Sequence, residues 1–205
     1  MTEGLKLEEK QPGYGHITVL VGPDGGGKTY LSKQLAQEHP NAILIDGTHP
    51  QKWPVSEEKK RILGKLKGTD GFDYYGIVSL ELHKMVFGFA KQGKDIIVDS
   101  EQTFKFLMWE DMRGNLEKSV NKLKSRSFRA VMPDSIRYVV PKAGTFDQQA
   151  ELVWEQQSKK PISERSSIDP TNLEEVRTRL RASEHVIVAL ENLGVEVEGK
   201  PSWVK

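Results

Sequence analysis

The chain has no cysteine. Disulfides, thiolate zinc sites and cysteine nucleophiles are thereby excluded, and a cytoplasmic setting is compatible with the sequence. Histidine is sparse: His16, His39, His49, His83 and His185 are scattered without H-E-x-x-H spacing, so no catalytic zinc site is expected. An excess of one charge sign is also lacking. Thirty Lys and Arg meet 29 Asp and Glu, a net charge of +1, so global electrostatics select no partner. No run of about eighteen apolar residues occurs, so no membrane span is expected. The first residues lack a basic start followed by an apolar stretch, so no secretion signal is expected. Residues 1–14 are polar and read as a flexible arm. Residues 15–205 give room for one α/β domain with a substantial core.

What is present is a glycine-rich turn. Gly22-Pro-Asp24-Gly25-Gly26-Gly27-Lys28-Thr29 fits G-x-x-x-x-G-K-[ST] at every fixed position. The apolar run His16–Val21 before it reads as a buried strand. Lys28–Glu38 after it reads as a helix with Leu31 and Leu35 on one face. Backbone N–H groups of such a turn curl around an anion, and the helix N-terminus adds partial positive charge. Lys28 can reach the β- and γ-phosphates, and the Thr29 hydroxyl can ligate Mg²⁺. Gly22, Asp24, Gly25, Gly26, Gly27, Lys28, Thr29 and Tyr30 are therefore the candidate ATP contacts.

A βα rhythm continues. Strands are expected at 42–45, 95–98, 135–140 and 195–197. Helices are expected from Ser56 to about Leu66, from about 77 to Lys91, over 101–124, over 146–157, and from a capping box at Thr171 and Glu174. Ile77, Leu80, Met85 and Phe89 form the expected apolar set of the second of these, and residues 68–76 read as a loop. Short apolar strands alternating with helices predict a parallel sheet covered on both faces. The predicted fold class is α/β: a P-loop NTPase fold, a five-stranded parallel sheet sandwiched by helices, with a basic lid at about 156–170. Ligands in such sheets bind beyond the carboxyl ends of the strands. Asp46 and Asp99 fall at two such ends, beside the glycine turn at a third.

A phosphate loop alone specifies nucleotide binding. In a chain this short, without the N/T-K-x-D motif of GTPases, a small kinase is the economical reading. A phosphate acceptor needs cations and no base, whereas an alcohol gains about 10²–10⁴ in rate from a nearby carboxylate. Asp46 is placed for that role, and Asp99 for holding Mg²⁺ or another group. Each is alternatively a turn or cap residue. Lys159-Lys160-Pro-Ile-Ser-Glu-Arg165 is either a solvated loop or a lid that brings Arg165 to the transition state. Arg177, Arg179 and Arg181 read as the exposed side of a helix. Residues 113–129 carry Arg113, Lys118, Lys122, Lys124, Arg126 and Arg129 against one acid, Glu117. This stretch suits DNA or is a solvated helix face. Trp109 stacks on a base or packs in the core, and Trp53, Tyr74 and Tyr75 line an acceptor pocket or pack down.

With these residues assembled, the chain resembles the P-loop kinases. Asp24-Gly25-x-Gly27-Lys28-Thr29 resembles the D-G-x-G-K-[ST] loop of thymidylate kinases, and Met132–Val139 is loosely similar to their fourth strand. That family carries Asp-Arg after strand three, the arginine gripping the acceptor phosphate; here the pair is Asp99-Ser100. The chain is also similar to polynucleotide kinases, which phosphorylate hydroxyls on nucleic acid. They place an Asp past strand two as base and another after strand three, as Asp46 and Asp99 stand here. Arg165 falls where their lid arginine would be. Related bacteriophage enzymes phosphorylate the hydroxymethyl group of 5-hydroxymethyluracil within DNA. Leu44-Ile45-Asp46-Gly47 is also similar to kinases of small alcohols such as gluconate or adenylyl sulfate. The resemblance implies an Mg²⁺-ATP kinase with Lys28, Asp46, Asp99 and Arg165 catalytic and Thr29 and Asp99 attending the metal. The leading acceptor is hydroxymethyluracil in DNA, and the runner-up is a free deoxynucleoside monophosphate. A nucleotide-dependent binding protein is the third reading.

Overall fold

The computed structural model describes residues 12–24, 26–65, 71–100, 102–123, 133–161 and 169–204. Five parallel strands, β1 (Ile17–Val21), β2 (Ile43–Asp46), β3 (Ile96–Asp99), β4 (Ser135–Tyr138) and β5 (Glu196–Glu198), form one sheet in the order β2-β3-β1-β4-β5. The described helices are α1 (Lys28–Glu38), α2 (Glu57–Lys65), α3 (Gly71–Ala90), α4 (Gln102–Met112), α5 (Leu116–Leu123), α6 (Phe146–Ser158) and α7 (Leu173–Glu191), with one 3₁₀ turn at Pro50–Lys52. None of them is long and apolar enough to cross a membrane.

The strand sequences explain the layering. Ile17, Val19 and Val21 alternate onto one face, where Leu82 and Val86 of α3, Leu107 of α4 and Ile187 of α7 complete the main core. Leu20 and Ile97 point to the other face and meet Leu35 of α1. β3, between β1 and β2, is buried at all four positions, which is why Ile96-Ile-Val98 is an unbroken apolar run. β1 lies between β3 and β4, so the strand order reverses there, and in such sheets ligands bind beyond the carboxyl ends at that point.

Several expectations need correction. The helix expected over 101–124 is broken at residues 113–115, where Gly114 adopts φ +74° and the chain turns from α4 into α5. The loop expected over 68–76 is helical from Gly71 onward, so Tyr74 and Tyr75 belong to α3. Among the described side chains of α3, Val78, Leu82, Val86 and Ala90 are buried and Met85 and Phe89 pack partly buried beside them, while the side chains of Ile77 and Leu80 lie outside the description. Strand four ends at Tyr138 rather than at residue 140. The box opening α7 is shifted by one residue. Asn172 is the N-cap and accepts from the Glu175 amide at 2.9 Å, and Glu175, not Glu174, reaches back to the Thr171 amide at 2.8 Å.

Candidate active site

The turn after β1 enters α1 without a side-chain cap. Gly27, the N-cap residue, sits at φ +93°, and no acidic side chain occupies the first turn. The first amides of α1 therefore carry their partial positive charge uncompensated by a side chain. A Cβ on Gly27 would meet nothing within 4 Å, whereas one on Gly22 or Gly26 would stand 2.4 Å from the Val139 carbonyl oxygen. Two loop glycines are thus needed to seat the turn against the end of β4, and one to leave its outer side clear. Thr29 and Tyr30 are exposed in the first helical turn, while Lys28 is buried.

The Lys28 ammonium donates to the carbonyl oxygens of Gly22 at 2.9 Å and Pro23 at 2.7 Å, and lies 3.8 Å from Asp24 Oδ1. Burial pushes it down to about 8, opposed first by Asp24, which favours the charged form, and reinforced by Lys105 and Lys160. Asp24 also faces Lys105 of α4, at 3.4 Å. Burial would raise the Asp24 carboxyl, but Lys105, Lys28 and Lys160 outweigh it and hold the group below its ordinary range. Three lysines from three parts of the chain thus surround one loop carboxylate.

Lys105 was not legible as a site residue. Its one signal is that it is the sole charge in the run Thr103-Phe-Lys-Phe-Leu-Met-Trp109. The same side of the loop opens into a cavity that Gly22, Pro23 and Asp24 share with Lys105, Met108, Trp109, Val153 and Arg179. The Arg179 guanidinium lies 5.5 Å from the Trp109 ring centroid. Arg179 is therefore partly buried at this cavity rather than a solvated face residue, whereas Arg181 is exposed as expected.

Strand register sets the two aspartates side by side. Asp46 pairs with Asp99 across β2 and β3, and Asp99 pairs with Leu20 of β1. Asp99 is buried and accepts hydrogen bonds from Ser32 at 3.3 Å and Ser100 at 3.1 Å. Ser100 takes φ +64°, a left-handed conformation costing a non-glycine residue on the order of 1–2 kcal/mol, which marks a site where the fold holds strain. Asp46 is committed within its own turn. It accepts from the Thr48 amide at 3.1 Å, the Thr48 hydroxyl at 2.7 Å and Lys52 at 3.1 Å, with His49 Nδ1 at 2.8 Å. Burial raises this carboxyl, but the contacts with Thr48, His49 and Lys52 overcome it and hold the group at about 2.

Trp53, read as a possible pocket aromatic, is instead fully buried, and its indole N–H donates to the Asp46 carbonyl at 2.7 Å. It anchors the end of β2. Thr29 and Asp99 offer only oxygen donors, and no cluster of three metal-ligating side chains exists among the described residues. That donor set fits Mg²⁺, which keeps waters and substrate phosphates as most of its ligands.

Other candidates are not brought together. Arg113 is exposed and pairs with Glu110 at 3.4 Å, and Lys118 is exposed on α5. Lys122 lies on the backbone of α5. Lys124, Arg126, Arg129, Gly25 and Arg165 fall outside the described residues. Of the lid cations, Lys159 pairs with Glu155 at 2.6 Å and Lys160 lies 3.9 Å from Asp169.

No family model matches the chain, and no curated protein sequence matches it. Solved structures do. Deoxyadenosine kinase from M. mycoides with bound dATP superposes with a TM-score of 0.55 at 12% identity, covering 93% of this chain and 92% of that one. The same enzyme with the products dCMP and dCDP gives 0.53 at 11% identity, covering 92% and 91%. Thymidylate kinase from Candida albicans gives 0.56 at 10% identity, covering 90% and 83%. At these identities the likeness is one of architecture: this chain has the P-loop NTPase fold.

Proposed function

We propose that the protein is an Mg²⁺-ATP-dependent kinase that transfers the γ-phosphoryl group to a hydroxyl. The observation that carries this reading is the register Asp46–Asp99–Leu20, which sets two carboxylates at strand ends next to the phosphate loop. The folds that resemble this one include a kinase named for a nucleoside and one named for a nucleotide, which adds support for phosphoryl transfer.

In this reading Lys28 exchanges its bonds to the Gly22 and Pro23 carbonyls for phosphate oxygens, and the loop amides complete the cradle. Thr29 and Asp99 hold Mg²⁺, which supplies charge neutralisation on the phosphates. Asp46 belongs to the acceptor side, and Arg165 is assigned to the closing lid. Hydroxymethyluracil in DNA is the proposed acceptor, with the cations of 113–129 as the DNA contact. The absence of arginine after Asp99 supports an alcohol over a phosphate acceptor.

A second reading, a deoxynucleoside monophosphate kinase, is favoured by one observation. Lys105 brings to the loop a cation of the kind an anionic acceptor needs. The test is transfer of label from γ-labelled ATP to a panel: hydroxymethyluracil-containing duplex, unmodified duplex, deoxynucleosides and dTMP. Label in the modified duplex supports the first reading. Label in dTMP alone reverses the order, and label in none removes both.

A further inference from the structure

We propose that His49, oriented by Asp46, is the group that takes the proton from the acceptor hydroxyl. This rests on the hydroxyl-kinase reading above and names the base of that same site. Asp46 then acts through His49 as a positioning residue rather than as the base itself.

The tautomer of His49 follows from its neighbours. Nδ1 lies 2.8 Å from Asp46 Oδ2 and 2.9 Å from Thr48 Oγ1. The single hydroxyl proton of Thr48 is directed to Asp46 Oδ1, 2.7 Å away. An ionised carboxylate has no proton to give. Both groups therefore present lone pairs to Nδ1, and the ring proton must sit there. A neutral imidazole held in that way keeps its free lone pair on Nε2. The side chain is 56% exposed, and the contacts that hold it run through Nδ1.

Asp46 is less suited to the role. Its oxygens already face four donors, and its carboxyl is held at about 2. A general base works best when its pKa lies near the operating pH, which a carboxyl held that far down does not satisfy.

The turn is tied across the end of β3. The Gly47 amide donates to the Asp99 carbonyl at 2.7 Å, and the Ser100 amide donates to the Leu20 carbonyl at 3.2 Å. With about 4.8 Å between strands, the Asp46 backbone stands roughly 10 Å from the end of β1 where the phosphate loop starts. A histidine side chain, an alcohol within hydrogen-bond reach and a phosphoryl group about 3–3.5 Å beyond span such a gap. Lys52, 3.1 Å from Asp46 Oδ2, is the cation beside the pair, and Asp99 is the acid across the β3 end. From α2, which packs on the 50–52 turn, Glu57 pairs with Lys60 and Lys59 pairs with Glu81, while Glu58, Arg61 and Lys65 complete its charges.

In the step itself, the acceptor oxygen forms a bond to Pγ as its O–H bond breaks, and the proton passes to Nε2. The bond from Pγ to the bridging oxygen breaks with its electron pair, which leaves on ADP. The imidazolium, still donating from Nδ1 to Asp46, then returns its proton to water.

The test compares wild type, His49→Gln, His49→Gly and Asp46→Asn in labelled transfer to whichever hydroxyl acceptor wild type uses. His49→Gln should lower kcat by about 10²–10⁴ and abolish the acid limb of its pH profile. The limb should persist in Asp46→Asn. ATP affinity should change little in either, and added imidazole should restore part of the His49→Gly rate. A His49→Gln protein that keeps wild-type kcat and its acid limb, while Asp46→Asn loses both, makes Asp46 the base and overturns the proposal. A wild type inert toward every hydroxyl acceptor sinks the kinase reading instead. Ring ¹⁵N–¹H correlations of the resting protein then decide the geometry alone: a proton on Nδ1 supports it, and a proton on Nε2 overturns it whatever the activity.

Discussion

Lys105, on α4, stands 3.4 Å from the Asp24 carboxylate in the phosphate loop, and the same carboxylate is 3.8 Å from Lys28. Two cations therefore share one counter-charge in the glycine-rich turn. Removing either outer partner should move Lys28 in opposite directions. Asp24→Asn deletes the largest charge favouring protonated Lys28 and should drive its pKa further below about 8. Lys105→Met deletes a repelling charge and should raise it. NMR of ¹³C-dimethylated lysines reads both shifts. Equal shifts, or shifts of the opposite sign, would show that the Asp24 cluster does not control the loop lysine.

The lowered Lys28 pKa has a binding consequence. At pH 8 the free ammonium is about half deprotonated, and a phosphate beside it favours the charged form. Nucleotide binding at that pH should take up roughly half a proton. Calorimetry in buffers of different ionisation enthalpy measures this directly, and Lys28→Met should abolish the uptake. The stability effect has a defined sign. Lys28 titrates at about 8 in the fold against 10.5 ordinarily, so the unfolded chain binds more protons between those values. Stability should therefore rise with pH across that window, and less so in Lys28→Met.

The end of β2 is held by contacts whose loss should be felt in the chemistry. A Cβ at Gly47 would stand 2.5 Å from the Ser100 carbonyl oxygen, a backbone atom that cannot swing away. Gly47→Ala should destabilise by about 1–3 kcal/mol and lower turnover while ATP still binds. Gly27→Ala meets no atom, only the strain of its φ of +93°, and should act on nucleotide binding instead. Equilibrium unfolding alongside nucleotide titration separates the two.

Trp53→Phe keeps most of the buried ring but removes the shorter of two bonds to the Asp46 carbonyl, leaving the His49 amide at 3.4 Å. A typical hydrogen bond contributes about 0.5–1.5 kcal/mol, so a drop of that size in denaturant unfolding is expected. Turnover should fall with it, because the Asp46–His49 turn hangs from that carbonyl. A stability loss with unchanged turnover would show that the turn is positioned by its other bonds, Gly47 to Asp99 and the His49 amide to Asp46 among them.

Much of this fold was legible. The glycine turn, the apolar strands and the helix-spaced leucines and valines of α7 each signal their state locally, and Val176, Leu180, Ile187 and Leu190 are buried as their spacing requires. What escaped was set by turn geometry and by packing between elements. Trp53 reads as a loop aromatic until the Asp46 carbonyl is seen to need a donor seven residues away. The break at Gly114 interrupts a sequence whose apolar spacing continues through it. Lys105 and Arg179 look like ordinary helix-surface cations, and only packing brings them to the loop at residues 22–24. Asp46 was placed correctly on the sheet, but its hydrogen bonds to Thr48 and Lys52 and its contact with His49 depend on a turn geometry that residue types do not fix.

Trp109 offers a direct readout of which ligand enters beside the loop. Its ring lines the cavity shared with Gly22 and Asp24 and lies under the Arg179 guanidinium at 5.5 Å. That cavity lies on the α4 and α7 side of the glycine turn, whereas Asp46 and His49 stand past β2, two strands from β1. An acceptor bound beside Asp46 and His49 should therefore leave the Trp109 ring's surroundings unchanged. The acceptor-dependent change in tryptophan fluorescence should be the same in wild type and Trp109→Phe, and Trp109→Ala should leave acceptor affinity unaltered. An acceptor signal lost in Trp109→Phe, with acceptor binding weakened by about 1–3 kcal/mol in Trp109→Ala, would put a base against Trp109 and move the acceptor away from the β2 side.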